Sequence, residues 1–167
     1  VIHKNEIADF YKPRGFDPDL IQIKQLYLTL NDIEAKNDTL TASLSDLSFY
    51  EEGGFEVQQL RSNLVMAPGI VNFDNLLVET QNSLIKREVT LSYNSLDDFR
   101  DVINRVRINA NLKDSHIAIS DLQYFAPKLP APHKRYEVSG EIAGTINDFS
   151  SDELFIKYGE RTVFYGN

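Results

Sequence analysis

Val71-Asn72-Phe73-Asp74-Asn75-Leu76-Leu77-Val78 places apolar residues two apart, then a polar pair, then apolar residues two apart again. Two is the strand period, because successive side chains of an extended chain point to opposite faces. The Asp74-Asn75 pair shifts the parity by one residue. A β-bulge, one extra residue in one strand, produces this shift while the apolar side chains stay on the same face. Asn, Asp and Ser hydrogen-bond their own backbone and suit such a kink.

The same signature recurs along the chain. Other complete copies are Ile21-x-Ile23-x-x-Leu26-x-Leu28, Leu28-x-Leu30-x-x-Ile33-x-Ala35, Ala42-x-Leu44-x-x-Leu47-x-Phe49 and Ile117-x-Ile119-x-x-Leu122-x-Tyr124. Partial copies occur at Phe55-x-Val57-x-x-Leu60 and Gly144-x-Ile146-x-x-Phe149. Plain alternation continues in Val89, Leu91 and Tyr93, in Val106, Ile108, Ala110 and Leu112, in Tyr136 and Val138, and in Leu154 and Ile156. Bulges bend a sheet, and a sheet kinked repeatedly in one sense curls into a trough. The expected fold is therefore mainly β, a curled antiparallel bulged sheet forming an open half-barrel groove. Residues expected to line it are Ile21, Ile23, Leu26, Leu28, Leu30, Leu44, Leu47, Phe49, Val57, Phe73, Leu76, Val78, Ile117, Ile119, Leu122 and Tyr124. Periodicity leaves a second architecture open, in which the slips are turns between the shorter strands of a closed sandwich.

Turns are expected at Glu51-Glu52-Gly53-Gly54, Ala67-Pro68-Gly69 and Lys157-Tyr158-Gly159-Glu160, each between apolar alternations, which fits an antiparallel meander. Residues 1–19, with Pro13, Gly15 and Pro18 among charges, read as a lead-in segment; 20–94 read as strands and 106–167 as strands again. Between them Leu96, Phe99, Val102, Ile103 and Val106 fall at helical spacing. Ser95 and Asp98 stand in capping-box positions, and two acids occupy the first turn. One amphipathic helix over 95–105 is expected, packed as a lid on an end or edge of the sheet.

A chain of 167 residues makes one domain with a buried core. Its net charge of −8 repels phosphate backbones, which argues against nucleic acid as a partner. Apolar runs are too short to span a bilayer. The absence of cysteine excludes disulfides, thiolate metal sites and cysteine nucleophiles. The start at Val1 rather than Met, and the end at Gly166-Asn167 just after an apolar stretch, lead to the expectation of a piece of a longer polypeptide.

Chemistry finds little foothold. His3, His116 and His133 lack companions at metal-ligand spacing and read as surface or hydrogen-bonded side chains. Asp97, Asp98 and Asp101 read as a solvated helix face, and the serines lie at bends without a strand-turn-helix elbow. Gly140 and Gly144 sit inside a strand-like alternation, where glycine marks a kink or a close backbone approach rather than a phosphate loop. Ten Phe and eight Tyr fall mostly on inward positions and read as core or groove lining. A non-enzymatic protein with no cofactor and no metal is expected.

Four stretches carry a family resemblance. They are Phe16-Asp17-Pro18-Asp19-Leu20-Ile21, Ser115-His116-Ile117-Ala118-Ile119-Ser120-Asp121-Leu122-Gln123-Tyr124-Phe125-Ala126-Pro127, Tyr136-Glu137-Val138-Ser139-Gly140-Glu141-Ile142-Ala143-Gly144-Thr145-Ile146-Asn147-Asp148-Phe149, and Leu154-Phe155-Ile156-Lys157-Tyr158-Gly159. Together with the bulged strands they make residues 16–167 resemble the TamB and AsmA-like envelope proteins, closest in texture to the TamB-type proteins of Bacteroidota. The resemblance implies a segment of a long periplasmic protein anchored in the inner membrane by a helix outside this sequence. It implies an elongated β-groove, the β-taco, whose apolar inside carries phospholipid acyl chains towards the outer membrane. It also implies a link to outer-membrane protein assembly through a β-barrel partner, and no catalytic residues. Three functional readings follow: a lipid-holding groove, an interaction module that pairs strand edges with another β-protein, and a closed sandwich with an adhesive or carbohydrate-binding role.

Overall fold

The computed structural model describes residues 15–16, 20–125, 134–159 and 162–166. Of the lead-in segment, residues 1–14 and 17–19 lie outside the described residues, as do His3 and His133. Ten strands form one antiparallel sheet: β1 (Ile23–Lys36), β2 (Thr39–Glu51), β3 (Glu56–Ala67), β4 (Ile70–Thr80), β5 (Leu84–Ser92), β6 (Arg107–Asn111), β7 (Ser115–Ala118), β8 (Arg135–Gly144), β9 (Phe149–Tyr158) and β10 (Thr162–Gly166). The first five follow one another as hairpins. β6 pairs β5 and β8, short β7 also bridges β5 and β8, and β9 and β10 complete the path. The sheet is curled and open, with β1 and β10 as its edges. The closed-sandwich alternative is thereby set aside, because every described strand belongs to this one sheet.

The parity slips are bulges at four of the five complete copies. In β1 the pairing with β2 jumps between Lys24 and Tyr27 and between Asn31 and Glu34, and Gln25 and Asp32 there take positive φ of 53° and 49°. In β2 the extra residue falls in Ser45-Asp46, seen from both neighbouring strands. In β4 it falls in Asp74-Asn75, again seen from both sides, with Asn75 at φ 52°. The partial copy at Phe55–Leu60 is a bulge too, between Val57 and Gln59. A left-handed residue inserted in a strand twists and bends it, so these positions explain the curl.

Two copies of the signature have other structures. Gly144–Phe149 is the turn between β8 and β9, closed by Thr145 N–H donating to the Asp148 carbonyl at 2.9 Å. Ile117–Tyr124 is not a bulged strand. β7 ends at Ala118, and Ile119–Phe125 forms a helix, α2. The spacing Ile119, Leu122, Phe125 is also a three-residue helical repeat, so the slip and the helix share one pattern. Ser120 and Asp121 in its first turn favour the helix.

The helix expected over 95–105 is present, in two parts. It is a 3-10 helix over Leu96–Asp101 that gives way to a single α-helical turn, α1 (Val102–Arg105). The capping box forms as the spacing predicts, with the Asp98 carboxylate accepting from Asn94 N–H at 2.7 Å and Ser95 N–H at 3.4 Å. Those bonds hold the Asp98 carboxyl below its ordinary range, backbone donation from Asn94 outweighing the opposing effect of burial. Phe99 meets Tyr93 edge-on at 5.0 Å, and Val106 at the exit is 1% exposed. Leu96 points to water instead of into the lid.

Gly140 and Gly144 mark close backbone approach, as expected. A Cβ at Gly140, where φ is +137°, would lie 2.8 Å from the Glu153 carbonyl oxygen and the Leu154 Cα. At Gly144 it would collide with the Asp148 carbonyl. Beside Gly140, Leu112, Val138 and Leu154 form a small core with Ile85, Ala110, Ile117, Tyr136, Ile142 and Ile156 packed around them.

Candidate apolar groove

Residues directly opposite one another in an antiparallel pair share a face, so the register assembles the groove row by row. One row runs Ala35, Leu40, Met66, Val71, Leu91, Ile108, Gly144, Phe149 across eight strands. A second runs Ala42, Leu64, Phe73, Val89, Ala110, Ile142. A third runs Leu28, Leu47, Leu60, Val78, Ile85. The opposite face carries Asn31, Ser43, Asn63 and Asp74 in one row and Asn72, Thr90, Asn109, Ala143 and Ser150 in another. The bulges keep these faces apart: if Asp74-Asn75 continued the plain alternation instead of bulging, Leu76 and Val78 would change sides relative to Phe73.

On the apolar face Ala42, Leu44, Val57, Val71 and Leu76 are all buried although no second sheet among the described residues covers them. Burial on a face without a covering sheet marks it as the inner face of the curl, and α2 adds cover at the Val57 end. Towards the β1 edge the shielding ends. Ile21, Ile23, Leu26, Leu28, Leu30 and Ile33 keep between 36% and 59% of their surface in water. Six aliphatic side chains exposed along one edge are an unusual continuous strip for a water-facing surface.

Of the sixteen residues expected to line the groove, Leu28, Leu30, Leu44, Leu47, Val57, Phe73, Leu76 and Val78 lie in or beside these rows. Phe49, opposite Val57, extends them, Leu26 flanks Leu28, and Ile23 continues the β1 strip opposite Glu51, with Ile21 just before the strand. Ile117 joins the Leu112 core. Ile119, Leu122 and Tyr124 belong to α2 instead, and Leu122 faces water.

Helix α2 crosses one end of the apolar face, and sequence reading missed this contact. Tyr124 stacks on Phe55 at 4.9 Å and donates its hydroxyl hydrogen bond to Glu51 Oε2 at 2.6 Å. The Glu51 carboxylate, nearly fully buried, also accepts from Gly53 N–H at 2.5 Å and Gln22 N–H at 3.2 Å. Burial first, and then the hydrogen bond to Glu51, raise the Tyr124 phenol well above its ordinary value, so it remains a donor. Asp121 accepts from Thr80 Oγ1 at 2.5 Å and from Asn82 Nδ2 at 3.2 Å. Phe16 packs on the rings of Tyr124 and Phe125, and its N–H donates to the Tyr124 carbonyl at 2.6 Å. Two acids, Glu51 and Asp121, would have pointed to this site only if α2 had been read as a helix.

At the opposite end, the tips of the β1–β2 and β3–β4 hairpins frame a hollow of about 310 Å³ lined by Ala35, Leu40, Met66, Ala67 and Pro68 together with Asn37, Asp38 and Thr39. Ala35, Leu40 and Met66 belong to the first apolar row, so this hollow prolongs the groove. A separate hollow of about 300 Å³ is lined by Glu88, Thr90, Asn109, Asn111, Glu141, Ser150 and Asp152 of the polar face, with Ala110, Ile142 and Ala143. Its acids and amides do not suit an apolar ligand. Among the described residues, no group of His, Asp or Glu is placed to hold a metal ion, and no helix is long and apolar enough to cross a membrane. No family model, curated protein or solved structure matches the chain.

Proposed function

We propose that the curled sheet holds phospholipid acyl chains along its inner face, as a non-enzymatic segment of a TamB or AsmA-like protein that bridges the periplasm between inner and outer membranes. The observation that carries this reading is the apolar strip from Ile21 to Ile33, which continues across the sheet in the rows that run from Leu28 to Ile85 and from Ala42 to Ile142. Each methylene hidden from water is worth about 0.8 kcal/mol, so an acyl chain crossing an aqueous gap needs continuous apolar surface more than specific polar contacts. Repetition of one bulged unit suits a surface extended to span a distance. In this reading, contact with the membranes is made by other parts of the longer protein.

The test is extraction of the purified protein, followed by native mass spectrometry. Bound species of phospholipid or fatty acid mass are expected, and their absence from the full-length protein contradicts the proposal. A second reading, edge pairing with an outer-membrane β-barrel, is favoured by the length of β1, whose 14 residues have no strand partner on one side among the described residues. Crosslinks from β1 to a barrel, with no lipid recovered, would favour it over the groove.

A further inference from the structure

We propose that α2 is a displaceable stop that occupies the groove at its Glu51–Phe55 end and shortens the surface open to an acyl chain; this rests on the groove reading above. The helix lies on residues of the apolar face. Thr80 is the cross-strand partner of Val57, Val57 is the partner of Phe49, and the ring of Tyr124 covers Phe55. An acyl chain lying along the strands on this face would cross the third row and then meet that ring.

The attachment of α2 differs from that of the helical segment at the other end. There, Val106 is sealed and Asp98 is bound to the backbone that precedes its own helix. α2 has seven residues and none of them is buried. A helix this short does not persist alone and depends on tertiary contacts. Its contacts include stacked aromatic rings, two side-chain keys, Tyr124 to Glu51 and Asp121 to Thr80 and Asn82, and the backbone bonds of Phe16 N–H to the Tyr124 carbonyl and of Ile119 N–H to the Lys134 carbonyl. Water replaces such hydrogen bonds at small net cost, whereas an apolar ligand replaces the ring on Phe55 directly. Opening α2 therefore exchanges one apolar cover for another.

Two variants test this. Tyr124→Phe keeps the ring and removes the key to Glu51, and Asp121→Ala removes the key to the β4–β5 turn. Amide hydrogen exchange over residues 119–125 reports opening, and titration with one short-chain and one long-chain fluorescent fatty acid reports groove length. Exchange is expected to quicken about tenfold in either variant. Long-chain affinity is expected to rise severalfold as the open state becomes more populated, with short-chain affinity unchanged. Faster exchange with unchanged long-chain affinity overturns the proposal, as does unchanged exchange in both variants. In those cases the short-chain probe still binds. Failure of both probes to bind any of the three proteins overturns the groove reading itself.

Discussion

Replacing Leu26 and Leu28 together by Ser separates what holds the sheet from what holds a ligand. Both residues lie on the inner face of β1, and each is 54% exposed. Covering a whole Leu side chain is worth about 1.5–3 kcal/mol, so the water-facing parts of the pair offer a ligand at most about 1.6–3.2 kcal/mol. That corresponds to a loss of roughly 15- to 200-fold in Kd for a long-chain fatty acid probe. Tyr27 is the control: it sits between them on the outer face and is 68% exposed. Tyr27→Ser is expected to leave the probe's affinity within about twofold of wild type. Leu44→Ala marks the other extreme, because that side chain is buried and its loss should cost about 2–5 kcal/mol of stability in urea unfolding. The reasoning is refuted if the double variant stays folded and binds the probe as tightly as wild type, or if Tyr27→Ser weakens binding equally.

Gly140→Ala should destabilise by about 2–4 kcal/mol, because the new methyl meets the Glu153–Leu154 backbone at a φ few side chains adopt; denaturant unfolding with an unchanged slope checks it. Asn75→Gly should be neutral or slightly stabilising and Asn75→Val should cost about 1–2 kcal/mol, since the bulge holds this residue in the left-handed region; the order of their urea midpoints decides. Burial foremost, and then the nearby Arg135 and Lys86 charges, lower the His116 imidazole below 6.5. The folded state thus binds fewer protons there than the unfolded state, and the corresponding stability is present above pH about 6.5 and lost as pH falls below it. His116→Gln should accordingly lose less thermal stability than wild type on acidification below that pH, and parallel Tm curves would contradict the assignment.

Much of this architecture was legible because bulge chemistry leaves a mark on sequence. The slip at Asp74-Asn75 combines a parity change with residues that tolerate positive φ, and the structure places Asn75 there as a bulge. Lys24-Gln25 shows that parity alone suffices, since Gln25 takes the same conformation without being a favoured residue type. Ile117–Tyr124 was illegible for the converse reason. Two apolar residues three apart satisfy both a bulged strand and a turn of helix, and what decides between them is tertiary: Thr80, Asn82 and Glu51 supply the partners of Asp121 and Tyr124. The helix over 95–105 had the right cap and the wrong continuity. Its Ser95–Asp98 box fixes the start, but a 3-10 turn follows, with Leu96 in water. Groove depth was beyond periodicity altogether. Alternation gives Leu28 and Leu44 the same face, and only their distance from the open edge leaves one in water and the other buried.

The most direct measurement is photolabelling with a fatty acid that carries a diazirine on its chain, followed by residue-level mapping of the adducts. The account predicts labels on inner-face residues, on Leu26, Leu28 and Leu30 at the open edge and on Leu47, Leu60 and Phe73 further in. Labels concentrated on outer-face residues such as Lys24, Tyr27, Thr29 and Asn63, or spread equally over both faces, would contradict it.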